Sequence, residues 1–201
     1  MKILFPIKVY QKFRSYIENC DEEISGLGKI VKTDGVITIQ DVKIFTQTTS
    51  AAETTMDKRA IGKFYDDLVK NGEQLSDWKL WWHSHAAMHT FFSSTDISTI
   101  EDFDNDLKDD NWMLSIVGNH AADLLARIDI FQPIRCTMAN VDWEIDFTDE
   151  TIERDAILEI MQKVNNKIIL IPKKITDFSK SKFKMIDGKL VCINPETKLP
   201  F

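Results

Sequence analysis

Trp78 to Asp96 reads W-K-L-W-W-H-S-H-A-A-M-H-T-F-F-S-S-T-D, and no other stretch restricts so tightly what the chain can fold into. Leu80 to His85 is bulky and aromatic, which favours a pleated, half-buried strand. Side chains at i and i+2 share one face of a strand, so His83 and His85 should point the same way as Trp81, with Trp82 and Ser84 opposite. Ten residues separate His85 from Asp96, and Ser93 reads as the N-cap of a helix whose first turn carries Asp96. Ser93-x-x-Asp96 is also a helix-start pattern in its own right. Strand, loop and helix start together can bring two imidazoles and one carboxylate to one place. Such a set suits a catalytic zinc, which commonly keeps three protein ligands and an open fourth position. Two neutral histidines and one carboxylate leave the cluster near +1, enough to acidify a water and polarise a carbonyl.

The string H-S-H-A-x6-S-x-x-D resembles the JAMM metalloprotease signature, also called JAB or MPN-plus, H-[ST]-H-P-x6-S-x-x-D. His83, Ser84, His85, Ser93 and Asp96 match it, whereas Ala86 stands at the proline position. Ala86→Pro should therefore stiffen the loop and add about 0.4–1 kcal/mol wherever the backbone suits proline. The family also carries an upstream glutamate in a segment like E-x-x-G-x-x-x-G. Glu23-Ile24-Ser25-Gly26-Leu27-Gly28 supplies E-x-x-G with its second glycine early, and the rival Glu22 does not fit that register. The resemblance covers roughly residues 1–150. It implies an α+β fold: a mixed, curved β-sheet flanked by helices in cytidine-deaminase-like α/β/α layers, MPN/JAB-like. It also implies one Zn2+ per chain on His83, His85 and Asp96, with a zinc-bound water as nucleophile. Glu23 would be the general base, and Ser93 a donor to the oxyanion if helix capping leaves its hydroxyl free.

The substrate class comes from the same resemblance: isopeptide bonds to lysine, or peptide bonds after the C-terminal Gly-Gly, of ubiquitin-like proteins. The compact prokaryotic or phage-borne branch is the nearest in pattern. Two alternatives stay open. Many proteins of this fold lack the ligands and act as scaffolds or binding modules, and the same site could cut a cell-wall or phage-tail peptide cross-link.

Composition is that of a soluble globular protein, with 43% hydrophobic and 28% charged residues over 201 positions. No apolar run approaches the roughly 18 residues of a membrane span, and the N-terminal M-K-I-L-F-P-I-K-V-Y is too short for a signal core. Cys20, Cys136 and Cys192 are widely spaced and odd in number, which fits a reduced, cytoplasmic setting. Net charge is −7. From Lys163 onward nine lysines and three acids give 9 − 3 = +6, so the preceding residues carry −7 − 6 = −13. An acidic body argues against nucleic acid as the main ligand. Residues 1–160 are expected to form the catalytic domain, with 161–201 a lysine-rich extension packed on it. Its lysines read as a solvated face or as a surface for an acidic partner.

Along the chain, Ile3 to Val9, interrupted by Pro6, reads as an edge strand, and Tyr10 to Cys20 as a helix. Ile24–Thr33 and Val36–Phe45 read as strands joined at Asp34-Gly35. Gln47 to Thr55 shows no period and is either a substrate-contact loop or a linker. Asp57 to Asn71 reads as a helix, and a second one runs from Asp96 to about Lys108. Trp112–Val117 and Leu124–Phe131 read as strands around His120, which is expected to be exposed. His89 is a candidate for supporting a ligand or touching substrate. Ile134 to Phe147 reads as one strand, Ile152 to Val164 as a helix, and Ile168–Ile171, Phe183–Ile186 and Leu190–Ile193 as short apolar patches.

Overall fold

A computed structural model describes residues 1–50, 53–106, 112–146, 182–186 and 189–193. Strand β1 (Lys2–Pro6) leads into helix α1 (Ile7–Glu18), then β2 (Ser25–Thr33) and β3 (Val36–Ile44). Short strands β4 (Gln47–Thr49) and β5 (Thr54–Met56) precede helix α2 (Lys58–Lys70), strand β6 (Leu80–Ser84) and helix α3 (Ser94–Asp106). Strands β7 (Trp112–Gly118), β8 (Leu124–Ile130), β9 (Cys136–Met138) and β10 (Trp143–Asp146) follow, then β11 (Lys182–Ile186) and β12 (Lys189–Ile193).

Eight strands form one mixed sheet in the order β10-β1-β3-β2-β6-β7-β8-β9. Its two edge strands, β9 and β10, are consecutive in sequence. Seven inter-strand gaps of about 4.8 Å would set the edges of a flat sheet about 34 Å apart. The step from Met138 to Trp143 reaches only about 18 Å even when extended. The sheet must therefore curl until its edges approach. The link spans that gap with two backbone bonds: Val141 N–H donates to the Ala126 carbonyl of β8 (3.0 Å), and Ile3 N–H of β1 to the Asp142 carbonyl (2.9 Å).

Helices cover both faces. Against one face, α1 places Tyr10, Phe13, Tyr16 and Ile17 on Phe5, Ile39, Trp82 and Ile116. Against the other, Leu68 of α2 and Ile100 of α3 join Leu27, Trp81 and Met113. The fold is thus mixed α+β, a curled sheet between helices, as the sequence implies at that level of detail.

Strand β6 divides its side chains between the two faces. Trp82 stacks on Tyr16 (5.6 Å between ring centroids) and meets Phe13 edge-on, while its indole N–H donates to the Leu27 carbonyl (3.2 Å). Trp81 turns the other way, toward Phe103 of α3. Gly26 and Gly28 of β2 pair with Trp82 and Leu80, whose side chains lean across them. A Cβ on Gly26 would fall 2.7 Å from the Trp82 ring and 1.9 Å from the Lys43 carbonyl, and one on Gly28 2.4 Å from Leu80. The early second glycine is thus explained by Leu80.

Several expectations hold with shifted ends. Asp34 and Gly35, at φ 50° and 82°, make the two-residue hairpin turn between β2 and β3. Asp57 caps α2 by accepting from the N–H groups of Arg59 (2.8 Å) and Ala60 (2.9 Å).

Three expectations need correction. First, β1 is interior, parallel to both β3 and β10. Pro6 ends the strand and occupies the N-cap position of α1, where its missing N–H costs nothing, so the helix starts at Ile7. Second, Gln47–Thr55 carries β4 and most of β5, which pair antiparallel from Gln47 opposite Met56 to Thr49 opposite Thr54. Third, in place of one strand over Ile134–Phe147, the described residues of that stretch hold two short strands on opposite sheet edges, separated by Asn140 at φ 53°. The helix expected over 152–164, the patch at 168–171 and the 160/161 boundary lie outside the described residues. Within the extension, β11 and β12 form an antiparallel pair separate from the large sheet.

Candidate metal centre

His83 and His85 leave the sheet on the α2/α3 face. His83 lies flat on Trp81, with ring centroids 4.5 Å apart, and is almost fully buried. The β6–β7 pairing continues one step past Ser84, where His85 N–H donates to the Gly118 carbonyl (2.9 Å). Ala86 then reverses the chain at φ 44°, a left-handed conformation that is uncommon for a residue with a Cβ. His120 N–H donates to the Ala86 carbonyl and Met88 N–H to the His85 carbonyl, each at 2.8 Å. The stiffening proline expected at position 86 therefore does not suit this backbone, because proline holds φ near −65°.

The loop returns at Ser93, the first residue before α3. Ser93 N–H donates to Asp96 Oδ2 (2.7 Å), and Asp96 N–H donates to Ser93 Oγ (3.2 Å), a reciprocal cap. Ser93 Oγ–H also donates to Asp96 Oδ2 (2.7 Å), which settles where this hydroxyl sends its proton here. The cap and the helix N-terminus together orient the carboxylate.

The three side chains converge. His83 Nε2 lies 3.2 Å from His85 Nε2 and 3.3 Å from Asp96 Oδ1, and His85 Nε2 lies 3.8 Å from Asp96 Oδ2. Two imidazole nitrogens cannot face each other at 3.2 Å as two lone pairs without a cation between them, either a proton or a metal. His85 Nδ1 donates to the His89 carbonyl (2.9 Å), leaving Nε2 as the lone-pair side. His89 thus supports the ligand through its backbone, while its side chain is exposed. His83, His85 and Asp96 form a group that could hold a metal ion.

Burial holds the His83 pKa down against the pull of Asp96, so this ring is neutral. Burial also acts to lower that of His85, but the nearby Asp96 carboxylate, the hydrogen bond to the His89 carbonyl and the charge of Glu23 raise it overall. At Asp96 burial acts upward, yet its contacts with the His83 and His85 rings and the hydrogen bond from Ser93 hold it well below the usual carboxylate range. Glu23 is buried within electrostatic reach of His85 and Asp96. Burial raises its pKa, with Asp96 adding to the rise and His85 opposing it.

Glu23 reaches this position through side-chain clamps. The β2–β6 ladder ends at Ser25 opposite His83. Beyond it, Ser84 N–H donates to the Ile24 carbonyl (2.8 Å), and Ile24 N–H donates to Ser84 Oγ (3.1 Å). Ser25 N–H donates to Gln47 Oε1 (2.9 Å), and Gln47 Nε2 donates to the carbonyls of Ser25 (3.0 Å) and Phe45 (2.9 Å). Glu23 N–H donates to the Ser50 carbonyl (3.0 Å). Neither Gln47 nor Ser84 stood out in the sequence as support for Glu23, because Gln47 sits in a polar stretch with no periodic signal and strand alternation marks Ser84 only as facing away from the two ligands. Glu22 turns away and accepts a hydrogen bond from the Thr49 hydroxyl. His120 N–H supports Ala86, and its ring bonds the Cys20 carbonyl (3.0 Å), so His120 acts behind the loop and not as a ligand.

No protein-family model matches the chain, and no curated protein matches it. Among solved structures it is similar to the solution structure of protein DSY2949 from Desulfitobacterium hafniense, with a TM-score of 0.51 and 16% identity. That match covers 74% of this chain and 95% of the other. The likeness is one of fold.

Proposed function

We propose that the chain is a zinc-dependent hydrolase of amide bonds, of the JAMM type and MPN/JAB-like in fold, with one zinc held by His83, His85 and Asp96. The observation that carries this reading is the spacing of the three ligand atoms. Tetrahedral zinc with bonds of about 2.0–2.2 Å sets its ligand atoms about 3.3–3.6 Å apart. His83 Nε2 lies 3.2 Å from His85 Nε2 and 3.3 Å from Asp96 Oδ1, and one ligand atom from each of the three residues lies within 4.8 Å of the other two. The donor set is also in the right form: His83 neutral, His85 with its Nε2 directed inward, and Asp96 ionised. Zinc in such a site supplies Lewis-acid polarisation of an amide carbonyl and lowers the pKa of water.

Glu23 carries the proton. Its raised pKa brings a carboxylate closer to neutrality, which suits a base that takes a proton from the attacking water and returns it to the departing amine. Ser93 orients Asp96, and rotation of its hydroxyl away from Oδ2 would make it a donor to the oxyanion. The substrate class follows from the family resemblance: a ubiquitin-like protein or its conjugate, cleaved at a Gly–Gly terminus or an isopeptide bond to lysine. The odd, widely spaced cysteines favour a cytoplasmic setting.

The test is a cleavage panel on the zinc-loaded chain, with a chelator control. Chelator-sensitive cleavage of a Gly-Gly–lysine isopeptide is the expected outcome. Cleavage of cell-wall cross-link peptides alone would replace the substrate class. A zinc-loaded chain that cleaves neither would return it to the scaffold class.

A further inference from the structure

The start of β2 is held in an unusual way. In a continuing antiparallel ladder, Ile24 and Ser25 would be held by backbone partners on both sides. Here the Ile24 N–H donates to the Ser84 hydroxyl, the Ser25 N–H donates to Gln47 Oε1, and the Ser25 C=O accepts from Gln47 Nε2. Both side chains are buried, Ser84 completely and Gln47 at 4% exposure. Gln47 is fixed in turn, since its Oε1 also accepts from the Thr54 hydroxyl (2.8 Å) and its Nε2 donates to Phe45. These bonds fix the amide and carboxamide geometry immediately after Glu23, while the Ser50 carbonyl fixes the Glu23 N–H itself.

Ser84 also lies between His83 and His85 but on the opposite face of the strand, so its hydroxyl is directed at the Glu23 segment and not at the ligand cluster. One strand thus delivers two ligands on one face and, through the residue between them, sets the position of the glutamate. We infer that Ser84 and Gln47 are positioning residues for Glu23, fixing its carboxyl at the metal centre through the backbone of Ile24 and Ser25. The inference rests on the role of Glu23 in the proposed reaction, but the positioning can be read without any turnover.

The experiment uses the full chain and four variants, Ser84→Ala, Ser84→Thr, Gln47→Met and Gln47→Glu. Amide hydrogen exchange at Ile24 and Ser25 is followed by NMR, with the Ile116 amide of β7 as an internal reference. Ser84→Ala should speed exchange at Ile24 by about 10-fold or more, and Gln47→Met should do so at Ser25, while Ile116 is unchanged. The Glu23 carboxyl should titrate nearer the ordinary glutamate value in both, because a looser segment lets water reach it. Zinc stoichiometry should stay at wild type. On a cleavable substrate, kcat should fall roughly 10- to 100-fold with KM nearly constant, as expected for about 1 Å of misplacement. Ser84→Thr keeps the hydroxyl and should restore all of these.

Gln47→Glu keeps the acceptor for Ser25 N–H but sets a buried carboxylate oxygen against the Ser25 and Phe45 carbonyls, so it should speed exchange at Ser25 at least as much as Gln47→Met. Where neither Gln47 variant folds, the Ser84 pair decides the inference. Unchanged exchange at Ile24 and Ser25 would overturn the inference. So would faster exchange with an unmoved Glu23 titration, or loss of zinc from Ser84→Ala. A wild-type chain that cleaves no amide bond would instead refute the proposed reaction, and the exchange and titration results would still decide the positioning.

Discussion

Ala86 offers a sharp test of the ligand loop, because two substitutions at one buried atom should part company. At φ 44° the alanine bears the left-handed penalty, about 1 kcal/mol. Ala86→Gly removes that penalty but adds about 0.4–1 kcal/mol of chain entropy to the unfolded state. The two nearly cancel, so the glycine variant should lie within about 0.5 kcal/mol of wild type. Ala86→Pro needs φ near −65°, a change of 44 − (−65), or about 110°, next to His85. That rotation would displace the Ala86 carbonyl from His120 N–H and the His85 carbonyl from Met88 N–H. Strain and lost bonds together should cost about 2–4 kcal/mol. For a chain of this length that is a fall of roughly 4–16 °C in Tm. Thermal melts of the three proteins, paired with zinc titrations, make the comparison. A proline variant as stable as wild type and still binding zinc would refute the left-handed turn at Ala86 and return the loop to the family pattern.

Further outcomes follow from the same site. Glu23→Gln should retain zinc and lose roughly 10²–10⁴-fold in peptide hydrolysis, whereas Glu22→Gln, bonded to Thr49, should change little; steady-state kinetics on both will tell. Ser93→Ala should cost about 1 kcal/mol of stability from the lost cap and about 10–100-fold in zinc affinity from the lost support of Asp96, read by melts and competitive titration. Zinc affinity should fall by about tenfold per pH unit once pH drops below the raised pKa of His85, starting above the ordinary value of about 6.5. The sign follows because zinc must displace the proton that His85 has gained, while neutral His83 and ionised Asp96 release none. A hundredfold loss per unit over that window would mean that His83 is protonated too.

What the sequence disclosed was whatever a local pattern could encode. Alternation placed His83 and Trp81 on one strand face and Trp82 on the other, and Ser93-x-x-Asp96 marked a helix start. Asp34-Gly35 marked a turn because two successive positive φ angles favour those residues. The interior position of β1 was hidden because Pro6 looked like a strand-edge signal when it closes the strand and opens the helix. The splitting of Ile134–Phe147 was hidden because it depends on curling of the whole sheet. Ala86 carries no mark of its left-handed turn, since alanine is not a residue that favours it. The clamps from Ser84 and Gln47 join residues 60 and 22 positions away in sequence from their backbone partners, beyond any local period.

Zinc stoichiometry of the purified chain tests the central claim most directly. Elemental analysis after dialysis should give about one zinc per chain for wild type and none for His85→Ala, which should keep its fold because the main core lies on the opposite face of the sheet. A folded wild-type chain that takes up no zinc when it is supplied, or a His85→Ala variant that binds as much as wild type, would contradict a metal centre at His83, His85 and Asp96.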